Sequence, residues 1–136
     1  MSMSITISKS LSILLFFASL ATQTIHGVPN TKLLQVLCNS VTYTAGDPFT
    51  ISLSYVLSDL KTETPPTKTH SYYNISPFPN AFAYGHAACS ANLTAVDCGA
   101  CLGAAIEVMN SSCFMRIGAR STLSDCNVRY EQYPFV

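Results

Sequence analysis

The sequence predicts an α+β domain, an antiparallel sheet of about five strands packed on two helices. Two stretches place apolar residues at helical spacing: Phe49, Leu53, Val56 and Leu60, then Cys98, Cys101, Leu102, Ala105, Val108 and Met109. Intervals of three and four put each set on one helix face. Elsewhere, short apolar or alternating runs are bounded by turn residues, the pattern of strands. Six cysteines at scattered positions tie these segments together, three of them in Cys89–Cys101 with spacing C-x8-C-x2-C.

The first strand is an apolar segment, Leu33, Leu34, Val36 and Leu37, running into Cys38-Asn39. Thr44–Asp47 is a turn. Asp47 suits a helix N-cap and Pro48 the first helical position, where its missing N–H costs nothing. Ser52, Ser54, Ser58, Asp59 and Lys61 fill the outer surface of that helix. Pro65-Pro66 ends it, because proline bars its predecessor from helical geometry. Thr67–Pro79 reads as a loop with a short strand at Ser71–Ile75. Phe82, Tyr84, His86 and Ala88 alternate with Ala83, Gly85 and Ala87, a strand entering Cys89 in which Gly85 allows a close backbone approach or a bulge. Thr94-x-x-Asp97 is a capping-box variant that starts the second helix, and Asn110-Ser111-Ser112 stops it. Met115–Leu123 and Cys126–Glu131 read as strands around a turn at Ser124-Asp125. In the last strand Cys126, Val128 and Tyr130 face one way, and Asn127, Arg129 and Glu131 the other.

The first residues set the compartment. Lys9 is the lone charge before the apolar run LSILLFFASLA, which is a secretory signal pattern. Small residues at Ser19 and Ala21 predict a leader of residues 1–21, with cleavage after Gly27 the second choice. A membrane span needs about 20 apolar residues, and Thr22-Gln23-Thr24 interrupts the run too soon. The remaining 22–136 suffices for one domain. The whole chain carries seven basic and seven acidic side chains. Without Lys9 the balance stays close to neutral, which lacks the basic face that nucleic acid requires.

An even set of cysteines in an oxidising compartment points to disulfides. Zinc would use Cys98-x2-Cys101, but no second pair of that kind exists, and His26, His70 and His86 are isolated. A thioredoxin-like pair needs a βαβ frame, which the element pattern does not give. No metal or cofactor is expected. Spacing alone leaves fifteen pairings open.

C-x8-C-x2-C followed by Cys113 and Cys126 resembles the ginkbilobin-like cysteine-rich domain of plants. That family occurs as single secreted antifungal proteins and as tandem copies outside the membrane in cysteine-rich receptor kinases. The resemblance runs from about Lys32 to Phe135. It includes Cys38-Asn39, Ala83-Tyr84-Gly85, Ile117-Gly118-Ala119-Arg120, Asp125-Cys126 and Tyr130-Glu131-Gln132. It implies the pairing Cys38–Cys113, Cys89–Cys98 and Cys101–Cys126.

Candidate chemistry follows from the same comparison. The carboxylates Asp47, Asp59, Glu63, Asp97, Glu107, Asp125 and Glu131 offer no evident glycosidase pair, no G-x-S-x-G elbow is present, and an enzyme is not expected. The resemblance instead implies mannose binding by an Asn, an Arg and a Glu, whose motif positions hold Asn39, Arg120 and Glu131. Sugar hydroxyls both donate and accept, and an amide, a guanidinium and a carboxylate between them answer both needs. The resemblance thus implies a secreted, mannose-binding, lectin-like antifungal protein whose partner is fungal cell-wall mannan. A plain structural alternative makes Arg120 and Glu131 a cross-strand ion pair of little energetic weight and Asn39 a turn residue. The other functional reading is an extracellular module docking on a receptor partner through a strand edge or the Tyr-rich loop. Asn74, Asn92 and Asn110 each begin an N-glycosylation sequon.

Overall fold

The structure, a computed structural model, describes residues 28–135. The expected leader, 1–21 or 1–27, lies outside the described residues. Seven elements follow in order: β1 (Leu33–Cys38), α1 (Phe49–Glu63), β2 (Ser71–Ile75), β3 (Tyr84–Cys89), α2 (Ala95–Ser112), β4 (Gly118–Leu123) and β5 (Cys126–Glu131). The strands form one antiparallel sheet in the order β1-β4-β5-β3-β2. Both helices lie on one face of it, and the predicted α+β architecture is what the chain adopts.

Local chemistry explains the helix starts. Asp47 Oδ1 accepts from the Phe49 amide at 2.9 Å, and Pro48 already has helical angles. Thr94 Oγ1 accepts from the Asp97 amide at 3.1 Å. Each side chain satisfies one of the amides a helix start leaves unpaired. Phe49, Leu53, Val56 and Leu60 are buried with Leu57, and Cys98, Cys101, Leu102, Ala105 and Met109 meet them under the sheet. A Cβ at Gly85 would collide with the Val56 and Leu60 side chains, so the glycine lets α1 approach β3.

The structure corrects several details. Ser52 is buried rather than on the outer surface of α1. Val108 is half-buried, and Asn110–Ser112 form the last turn of α2 instead of stopping it. Met115 has a positive φ of 58°, and β4 begins only at Gly118. Leu33, Leu34 and Leu37 are exposed on an edge strand, and Leu37 lies opposite Arg120 on the face away from the helices.

All six cysteines are paired as Cys38–Cys113, Cys89–Cys98 and Cys101–Cys126. Cys98 and Cys101 therefore belong to different bridges, which rules them out as a metal-binding pair. The first bridge ties the end of β1 to the end of α2. The other two hold the start of α2 to β3 and its second turn to β5.

Candidate functional site

The sheet face away from the helices carries the candidate site. On β5, Cys126, Val128 and Tyr130 point to the helices and are buried, so Asn127, Arg129 and Glu131 line the open face. Register then sets their neighbours: Arg120 lies opposite Arg129 and Leu37, and Glu131 lies between Gly118 and Tyr84.

Asn39, Arg120 and Glu131 come together along one shallow depression of about 210 Å³, together with Leu37, Arg129 and Tyr133. The loop after β1 brings Asn39 there. Its amide donates to the Gly118 carbonyl at 2.9 Å, and Arg116 donates to its carbonyl at 2.9 Å. The Tyr130 hydroxyl in turn donates to the Arg116 carbonyl at 2.8 Å; burial pushes that hydroxyl's pKa well up and keeps it a donor. Asn39 Oδ1 accepts from the Val41 amide at 2.9 Å, so the turn role is real and occupies the oxygen. The side-chain NH₂ has no such engagement among the described residues.

Glu131 is only 8% exposed. Its Oε1 accepts from Arg129 Nε at 3.2 Å, whereas Oε2 is buried without a hydrogen-bond partner among the described residues. A carboxylate oxygen so placed is costly until a donor reaches it. Gly118 makes the placement possible, since a Cβ there would collide with Glu131 Oε2. The ion pair is therefore Arg129–Glu131, within one strand, and not the cross-strand Arg120–Glu131 pair offered by the sequence. Arg129 also donates to the Tyr133 hydroxyl at 3.4 Å and lies 4.1 Å from the centre of the Phe135 ring. Arg120 is exposed, and its side chain has no hydrogen bond or ion pair among the described residues.

Arg129, Gly118 and Tyr133 are site residues that the sequence reading did not single out. Arg129 is signalled by period two, since it precedes Glu131 by two residues and shares its face. His86 is half-buried, stacked on Tyr73 with ring centres 4.0 Å apart.

The sequons divide by position. Asn92 and Asn110 are exposed, and Asn110 lines a separate groove of about 440 Å³ between α1 and α2, on the side of the sheet away from Glu131. Asn74 instead turns toward α1 and donates to Asp59. No group of three His, Cys, Asp or Glu able to hold a metal occurs among the described residues, and no described helix is long and apolar enough to cross a membrane.

Residues 37–133 match the family model described as salt stress response/antifungal. The chain belongs to that family. Similar members of known name include antifungal protein ginkbilobin-like protein 1 of Picea glauca, 33% identical with 93% of each chain covered. Antifungal protein ginkbilobin-2 of Ginkgo biloba is 32% identical, covering 93% of this chain and 96% of its own. Among solved structures, the tandem DUF26 ectodomain of the Arabidopsis thaliana cysteine-rich receptor-like protein PDLP8 superposes with a TM-score of 0.72 at 21% identity. That match covers 78% of this chain and 51% of the ectodomain, so this salt stress response/antifungal chain spans about half of the tandem structure and shares its fold.

Proposed function

We propose that this chain is a secreted, mannose-binding, lectin-like plant defence protein that acts on fungal cell-wall mannan in the apoplast. One observation carries the reading: Asn39, Arg120 and Glu131, from three separate parts of the chain, line one depression. Each supplies what a sugar needs. The Asn39 NH₂ and the Arg120 guanidinium donate, and the Glu131 carboxylate accepts. Glu131 Oε1, which already accepts from Arg129, keeps a further lone pair for a sugar hydroxyl. The names of the Picea and Ginkgo relatives support the antifungal part. Titration of mannose and mannan against the oxidised protein tests it. Saturable binding is expected, lost in Asn39→Ala, Arg120→Ala and Glu131→Ala. Absence of binding, or binding untouched by all three changes, ends this reading.

A second reading has its own support. β1 is an edge strand with Leu33, Leu34 and Leu37 exposed, and such an edge can pair with a strand of a receptor or another domain. Recovery of a stoichiometric protein partner from apoplastic fluid, without sugar affinity, would favour this module over the lectin.

A further inference from the structure

The open face continues beyond the candidate site into a second depression of about 350 Å³, which shares Arg120 and Arg129 with the first. A ligand seated in one therefore touches the border of the other. Their chemistry differs. The first contains Glu131, whereas no carboxylate lines the second. Besides the two guanidinium groups it offers the Asn127 amide, the Thr122 hydroxyl and the His86 ring, beside Tyr73. Guanidinium groups donate only, and the other three can each donate. This lining calls for a ligand rich in acceptors.

Charge points the same way. Arg120 and Arg129 lie directly opposite each other on β4 and β5, and like charges so placed repel. Arg129 is balanced by Glu131 and covered by Phe135. Arg120 has no countercharge among the described residues. The face is short of one negative charge, and the shortage lies where the two depressions meet.

We propose that the second depression takes an anionic sugar unit, its carboxylate or phosphate meeting the Arg120 guanidinium and the Asn127 amide, so that the whole site binds an acidic glycan. The proposal rests on the mannose reading for the neighbouring depression. The exposed Tyr73 ring, stacked on His86 by its other face, supplies a flat apolar wall for a pyranose ring.

Calorimetric titration of the oxidised chain with mannose and mannose 6-phosphate, and with galactobiose and digalacturonate, tests it. At low salt at least one anionic probe should bind about tenfold tighter than its neutral counterpart, as a charged hydrogen-bonding contact provides. That advantage should shrink as salt is raised, and the stronger probe identifies phosphate or carboxylate as the group. Asn127→Asp keeps the side-chain shape but brings a negative charge, and should erase the advantage while leaving the mannose affinity within about twofold. Thr122→Glu, entering the same depression from β4, should do likewise and stands in if the first variant folds poorly. Equal affinity for charged and neutral probes, or an advantage that both variants retain, overturns the proposal while leaving mannose binding intact. An anionic advantage without any mannose affinity upholds the charged depression and rejects the mannose reading alone.

Discussion

A half-paired carboxylate such as that of Glu131 survives in a folded chain only if its neighbours hold it there. Two residues do so. Arg129 donates to Oε1, and Gly118 leaves the space that Oε2 fills. Gly118 is therefore needed for its missing side chain. In Gly118→Ala the new methyl group meets Oε2, and the carboxylate must swing away or the strands must part. We expect a loss of about 1–3 kcal/mol in chemical denaturation, the usual cost of overpacking. Mannose affinity should fall with it, because the acceptor moves out of the depression. A variant of unchanged stability and affinity would mean that the carboxylate has no fixed place. Glu131→Gln separates the two effects: it keeps the shape, weakens the Arg129 contact and leaves Gly118 unstrained, so the sugar term should change more than the stability term.

At the scale of elements, the β2–β3 hairpin carries a titratable device in His86. Burial holds its pKa below the usual histidine value of 6.5, and Ser71 Oγ lies 2.9 Å from its Nε2. The unfolded chain thus binds more protons than the folded one near and below that value, and stability must rise with pH across the interval. The contribution is complete above pH 6.5 and is lost as pH falls toward the depressed folded pKa. Thermal midpoints at pH 5 and 7.5, compared with those of His86→Gln, check this: the variant should show the smaller pH difference. Along the sequence His86 is only an isolated histidine, and the reason is general. Helix stripes such as Phe49–Leu60 and strand alternation such as Phe82–Ala88 are local periods, readable along the chain. Which strand lies beside which is not. The exposed leucines of β1 follow from its edge position and, for Leu37, from facing away from the helices opposite Arg120, and Ser52 is buried because α1 buries a wider stripe than its apolar residues alone suggest. Asn39, Arg120 and Glu131 were legible through family motifs, while Arg129 required only the period of a strand. The Tyr73–His86 stack and the Arg120–Arg129 pairing required the register.

For the whole molecule, the bridges act at opposite ends of the sheet. Cys89 is paired with Cys98 and lies opposite Cys126 in register, at the end of β5 remote from Glu131. Cys38 precedes Asn39 and is bridged to Cys113 across a separation of 75 residues. Loop entropy assigns about 4.5 kcal/mol to the long closure and about 2.5 kcal/mol to the nine-residue one. Stability and sugar affinity should therefore respond differently to the two deletions. Cys38→Ser with Cys113→Ser should cost most of the larger sum and also weaken mannose binding in protein that is still folded. Asn39 would then be held by its hydrogen bonds to Gly118, Arg116 and Val41, with its loop no longer bridged to α2. Cys89→Ser with Cys98→Ser should lower the denaturation midpoint less and leave the affinity nearly unchanged, because neither residue lines the depression. Measuring both quantities on both double variants distinguishes a bridge that merely stabilises from one that also positions. If affinity fell equally in the two, the site would depend on global stability, and the stapling of Asn39 by Cys38 would have no special part in it.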